Sequence, residues 1–141
     1  MTLRVTRRYR FAAAHRLHAG AFSEQENRAL YGKCNNPHGH GHDYVLEVSV
    51  AGPVDEVSGR VFSPAALDRL VAETALAAFD HRNLNAEVPE FTYVPPTTEN
   101  LAQLIRQRLL ARWAELGHRA RLAGIRLRET QRNTFEILER L

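Results

Sequence analysis

A chain of 141 residues, 44% hydrophobic and 25% charged, is long enough to bury one core and is expected to form one domain over residues 1–141. Its net charge of +3 is carried almost wholly by arginine, Lys33 being the only lysine, which suits the grip of oxyanions, and the lack of aromatics interleaved with basic residues argues against nucleic acid. No apolar run approaches the roughly 18 residues of a membrane helix; the arginine-studded start (Arg4, Arg7, Arg8, Arg10) is no secretory signal and one cysteine closes no internal disulfide, so the expectation is a cytoplasmic protein with a thiol left over.

Strand periodicity opens the chain. From Leu3 to His15 the odd positions Val5, Tyr9, Phe11 and Ala13 are apolar or aromatic and Thr6, Arg8 and Arg10 fill even ones, with Arg7 an exception. His15 falls on the inward parity. A second strand is expected from about His42 to Ala51, with Tyr44, Leu46, Val48 and Val50 on one face and Asp43, Glu47 and Ser49 on the other. His42 shares the inward parity. "GPVDEVSG" (52–59) has turn composition, and Arg60 to Phe62 is expected to return as a short strand.

Ser63-Pro64 reads as a helix cap followed by proline at the first helical position, and Leu67, Leu70, Val71, Thr74, Ala75, Ala78 and Phe79 trace a helical stripe ending near Asp80. After a proline-bearing loop, Thr97 or Thr98 caps a second helix that buries Leu101, Leu104, Ile105, Leu109, Trp113 and Leu116 and stops at Gly117. A third long strand carries Ala123, Ile125 and Leu127 inward against Arg126 and Arg128, and "TQRN" turns it into a last strand around Phe135 and Ile137. Strand runs separated by helices, with no βαβ rhythm, predict an α+β fold: a four-stranded antiparallel sheet with two helices on one face. Its exposed edges make pairing between subunits into a closed barrel one way to protect them.

The chemistry concentrates in "YGKCNNPHGHGHDY" (31–44). His38, His40 and His42 stand two apart, which in an extended chain puts their side chains on one side, and Gly39 and Gly41 let the backbone approach an ion. Together with inward-facing His15, three imidazoles from two strands suit zinc, at roughly 2.0–2.1 Å. The plain alternative, polar loop residues satisfied by hydrogen bonds, fits a lone histidine better than this cluster. Cys34 has three readings: a small buried hydrophobe, a fourth ligand that closes the site, or a nucleophile or base whose thiolate needs a nearby metal or imidazolium. The glycine, asparagine and proline around it speak against the first and leave the other two. Asp80-His81 offers a possible base with a carboxylate neighbour, or simply a histidine at a helix C-terminus. Glu129 sits on the inward parity, where it needs an arginine partner or the paired N–H groups of a heterocycle. Thr97, Thr98 and Glu99 read first as capping residues.

"FAAAHRL", "LYGKCNNPHGHGHDYVLEV", "FDHRNLN", "PTTENLA" and "RETQRN" together resemble the 6-pyruvoyl-tetrahydropterin synthase family and its relative 6-carboxy-tetrahydropterin synthase, over nearly the whole chain. The resemblance implies the tunnelling fold, with trimeric barrels that stack in pairs as a homohexamer and active sites between subunits. It implies zinc held by His15, His40 and His42, with His38 left out. Cys34 matches the family's catalytic base, Asp80 and His81 the pair that assists it, Glu129 the carboxylate that anchors the pterin ring, and Thr97 and Thr98 positions that help hold it. The substrate so implied is 7,8-dihydroneopterin triphosphate and the product 6-pyruvoyl-tetrahydropterin, with no redox cofactor. Cys34 stands six residues before His40, a spacing that resembles the pyruvoyl synthases more than the carboxy synthases of deazapurine biosynthesis. A third reading, from another class, is a non-catalytic zinc-stabilised binding module with Cys34 as fourth ligand. Ser63-Pro64 and His38 depart from the family pattern; the first is read as an equivalent cap, the second as an extra imidazole.

Overall fold

The structure is a computed structural model and describes residues 2–140. In chain order the elements are β1 (Leu3–His15), α1 (Glu24–Tyr31), β2 (His40–Gly52), α2 (Pro64–Val71), α3 (Ala77–Phe79), β3 (Arg82–Asn83), α4 (Leu84–Glu87), α5 (Thr98–Ala111), β4 (Arg121–Arg128) and β5 (Thr134–Leu138). The strands form one sheet in the order β3-β1-β2-β4-β5. β1 and β2 are antiparallel along their whole length, from Leu3 opposite Gly52 to His15 opposite His40.

Among the described residues the sheet has five strands, not the expected four. The fifth, β3, is two residues long and lies parallel to Ala13–Ala14 of β1, too short for any periodicity to announce it. Arg60 to Phe62 is not a strand. The Asp55 carboxylate accepts the amides of Val57 and Ser58, and Asp55 exchanges backbone bonds with Gly59 and Arg60. That closed turn leads directly into the Ser63 cap, where the Ser63 hydroxyl accepts the Ala66 amide at 3.2 Å.

The predicted first helix runs to Phe79, but with a π-helical stretch at Ala72–Leu76 between α2 and α3. Within that stretch the Thr74 hydroxyl donates to the Leu70 carbonyl at 2.6 Å, a back-bond that competes with the regular ladder. α5 is capped by Thr97, whose hydroxyl accepts the Asn100 amide at 3.2 Å. Trp113 and Leu116, expected in the core, are half-buried in the short 3₁₀ turn that follows. α1 was not expected, because it carries no apolar stripe; Asn27 is its only buried residue. Its start is nonetheless written locally, as a reciprocal capping box between Ser23 and Glu26.

One face of the sheet and the helices above it form a single apolar cluster. Phe11, Tyr44, Leu46, Val48, Ile125 and Leu127 meet Leu67, Leu70, Phe79, Leu101, Ile105 and Leu109. The inward parity predicted for β1 and β2 is thereby realised, while Arg8, Arg10, Arg126 and Arg128 are exposed on the opposite face. Among the described residues no helix is long and apolar enough to cross a membrane. Two sheet edges stay open: β5 on one side, and on the other the part of β1 that β3 does not cover.

Gly39 couples this fold to the segment of interest. Its φ of +70° suits glycine, and a Cβ there would come within 2.8 Å of the His15 backbone oxygen. Gly39→Ala is expected to cost about 1–3 kcal/mol and to move His40 relative to His15. Urea unfolding measures the loss; a variant as stable as the parent would show that β2 can enter the sheet without this close approach.

Candidate metal centre and active site

The β1–β2 register puts His15 directly across from His40, with His42 two residues further along the same face. The three rings crowd together at centroid distances of 5.3, 4.8 and 4.4 Å. His15 is fully buried, and its Nδ1 lies 3.0 Å from the Pro96 carbonyl. A carbonyl only accepts, so Nδ1 carries the proton and Nε2 presents its lone pair. That Nε2 faces the Nε2 of His42 at 3.1 Å.

Cys34 reaches the same spot from the 3₁₀ turn Gly32–Asn35, its Sγ 3.0 Å from His40 Nε2. The turn is clamped to the segment just after His15. The Leu17 amide donates to the Cys34 carbonyl at 2.6 Å, and the buried Asn35 side chain donates to the Leu17 carbonyl at 2.7 Å. Asn35 is a supporting residue that sequence reasoning missed; its only signal was an amide inside a Cys-Asn-Asn-Pro loop. Asn27 ties down the preceding loop through the carbonyls of Ala19 and Ser23, each at 3.0 Å.

The donor atoms of His15, Cys34, His40 and His42 all lie within 4.8 Å of one another. Three imidazoles and a thiol are a donor set that suits zinc. Burial holds the His15 pKa down at about 4, and burial lowers that of His42 too, so neutral ligand forms prevail at neutral pH. Burial, and the nearby Glu129 charge, push the Cys34 thiol up. Without a cation beside it Cys34 keeps its proton, and a cation supplies what would release it. The residues present therefore fit a divalent metal ion. His38 is exposed and outside this group; its amide bonds to Asn36 Oδ1 at 3.2 Å.

Glu129 follows β4 and turns inward as expected, but its partner is not an arginine. It accepts the hydroxyl proton of Thr98, and its Oε1 lies 3.0 Å from His42 Nε2. The two threonines divide their tasks. Thr97 is the cap of α5, while buried Thr98 turns its hydroxyl into the site.

Asp80 and His81 stand apart from the cluster. Asp80 Oδ1 accepts the Ala12 amide at 2.9 Å, and the His81 amide donates to the Ala12 carbonyl at 2.6 Å. These bonds fix both residues on the outer edge of β1. The His81 ring is largely exposed, with Nε2 3.7 Å from Asp80 Oδ2, and its backbone takes a φ of +58°. Within one chain His81 makes no hydrogen bond to Cys34. An open cleft of about 500 Å³ has His81 and His42 among its walls.

The chain is similar to known proteins along most of its length. The family described as 6-pyruvoyl tetrahydropterin synthase matches residues 4–140. The 6-pyruvoyl tetrahydrobiopterin synthase of Poecilia reticulata is 48% identical over 101 residues, covering 72% of this chain and 69% of that protein. The enzyme of the same name from Drosophila melanogaster is 40% identical over 131 residues, covering 92% of this chain and 75% of its own. The solved structure of Caenorhabditis elegans 6-pyruvoyl tetrahydropterin synthase superposes with a TM-score of 0.89 at 34% identity, over 99% of this chain and 97% of that one.

Buried His15 makes stability depend on pH in the metal-free protein. Its pKa is about 4 folded and about 6.5 unfolded, so the unfolded chain binds the extra proton in between. The His15 contribution is full above pH 6.5 and is lost as pH falls through that window towards 4. Urea midpoints taken across the range should fall accordingly. His15→Gln should lose that share of the slope; an unchanged slope in the variant would contradict this assignment.

Proposed function

Because the chain belongs to the 6-pyruvoyl tetrahydropterin synthase family, we propose that it is a zinc-dependent lyase that converts 7,8-dihydroneopterin triphosphate to 6-pyruvoyl-tetrahydropterin with loss of triphosphate. The observation that carries this reading is the convergence of His15, His40 and His42 beside Cys34, with inward Glu129 at the same place. His15, His40 and His42 would hold the zinc, which when bound polarises the side-chain hydroxyls of the substrate and acidifies the positions next to them.

Everything else falls to the chain's own groups. Glu129, held by Thr98, accepts the paired N–H groups of the ring edge and fixes the ring's orientation. Thr97 contributes by holding the first turn of α5, which sets where Thr98 stands. Cys34 Sγ takes a proton from the substrate side chain, acting as the base. His81 relays that proton, and Asp80, itself held by the Ala12 amide, orients His81.

His81 and Asp80 do not reach Cys34 within one chain, so the complete site draws them from a neighbouring copy. The two open sheet edges supply the means. β5 of one chain beside the uncovered part of β1 in the next removes both edges and, repeated, closes a ring. The assembly that follows is a trimeric barrel, paired as a homohexamer, with each site shared between subunits.

Incubation of the zinc-loaded protein with 7,8-dihydroneopterin triphosphate, followed by mass analysis, tests the reaction. The expected products are the 6-pyruvoyl pterin and triphosphate. A 6-carboxy pterin with acetaldehyde would replace this reading by the carboxy synthase reaction, and no consumption would leave a binding module. Cys34→Ala should keep its zinc while turnover falls about 10²- to 10⁴-fold; loss of zinc in that variant would make Cys34 a structural ligand instead.

A further inference from the structure

Two side chains next to the imidazole cluster carry donors that the chain itself leaves unanswered. Arg16 directly follows His15, and the Asn85 side chain clasps its backbone. Asn85 Oδ1 accepts the Arg16 amide at 2.7 Å, and Asn85 Nδ2 donates to the Arg16 carbonyl at 2.8 Å. The guanidinium is fixed at one corner, its Nε donating to the carbonyl of Asn35, the residue after Cys34, at 3.2 Å. The side chain is half-buried, yet among the described residues it forms no ion pair. Its two terminal nitrogens meet no protein acceptor there and are not sealed from solvent. A guanidinium held at Nε and open at its other edge is shaped to receive an oxyanion.

His18 is held against the same residue from the side-chain end. Asn35 Nδ2 donates to the Leu17 carbonyl at 2.7 Å, which fixes the orientation of that amide. Its second hydrogen faces His18 Nδ1 at 3.1 Å. Nδ1 therefore accepts, and the ring hydrogen sits on Nε2, which has no partner among the described residues and is not sealed from solvent. The Leu17 amide, between the two, donates to the Cys34 carbonyl at 2.6 Å. Arg16 and His18 are thus strapped to the turn that carries Cys34, each with N–H groups to spare.

We propose that Arg16 and His18 form an anion clamp that holds the triphosphate tail of the substrate while the side-chain hydroxyls engage the metal centre. This rests on the reading of the substrate as a pterin triphosphate. In that molecule the tail is carried on the carbon next to those that bear the hydroxyls, and in the chain Arg16 is the residue next to His15. The two terminal nitrogens of Arg16 grip two phosphate oxygens in parallel while Nε stays on Asn35, and His18 Nε2–H donates to a third. The clamp contributes binding energy to the tail and leaves the ring to Glu129.

Neopterin and neopterin triphosphate share one fluorescent ring and differ only in the tail, so titrating both into the zinc-loaded full-length protein isolates what the tail contributes. Arg16→Gln should weaken neopterin triphosphate about 10- to 100-fold and His18→Leu about threefold to tenfold, with neopterin itself within about twofold of the parent in both. Arg16→Lys, which keeps the charge without the planar fork, should fall between parent and Arg16→Gln. With the reacting substrate the loss in Arg16→Gln should appear as a raised KM, and zinc content should be unchanged. Parent-like affinity for neopterin triphosphate in Arg16→Gln or His18→Leu would overturn the clamp. So would equal losses for the two probes, or loss of zinc, which would make these residues mere props of the Cys34 turn. If the tail binds through Arg16 but the parent does not consume dihydroneopterin triphosphate, the lyase reading fails and the clamp stands. If the parent turns the substrate over and Arg16→Gln keeps its KM, only the clamp fails.

Discussion

The pairing of β1 with β2 in one register is the constraint on which the rest of the molecule depends. Cα partners in a sheet share a face, so the alignment that sets Phe11 against Tyr44 and Tyr9 against Leu46 also sets His15 against His40. A slip by one residue would turn the apolar set and the imidazoles outward together. Core and site are thus fixed by the same hydrogen bonds. The apolar cluster under the helices holds the register, and the register in turn holds the donor atoms within 4.8 Å of one another.

Around that pair, each remaining group is delivered by a loop tied at both ends. The Cys34 turn is fastened to the residues just beyond His15 through Leu17 and Asn35. Pro96, ahead of the Thr97 cap, fixes the tautomer of His15 with its carbonyl. The next residue but one, Thr98, engages Glu129. The start of α5 therefore supports both the imidazole cluster, through Pro96, and the Glu129 carboxylate, through Thr98. Burial does further work here: it keeps His15 neutral and ready as a ligand, and it makes the thiol of Cys34 dependent on a neighbouring cation for its proton to leave.

Much of this was legible in the sequence because the informative residues lie in long strands. The alternation from Leu3 to His15 matches β1 end to end, and the same parity placed His15 and His42 inward. Ser63-Pro64 and Thr97 marked helix starts through side chains that accept an orphan amide, a signal that needs no tertiary context. The failures have different causes, some of them local and some in partners far apart in the chain. β3 pairs with Ala13 and Ala14 at the free edge of β1, whereas α1, though its capping box is local, carries no apolar stripe to announce it. Arg60 to Phe62 looked like a returning strand, yet the carboxylate of Asp55 closes the turn first. In the site, the inward position of Glu129 could be read, but Thr98 as its partner could not, since the two are joined only by the fold. The separation of Asp80 and His81 from Cys34 was equally invisible, being a matter of which edge of β1 receives them.

The central claim is that three imidazoles from two paired strands form one metal site. Calorimetric titration of zinc into the metal-free protein, repeated on His15→Ala, His40→Ala, His42→Ala and His38→Ala, tests it most directly. The account predicts one ion per chain, strong loss of affinity in each of the first three variants, and parent-like binding in His38→Ala. Zinc binding that survives loss of His15 or His42, or that fails with His38, would contradict it.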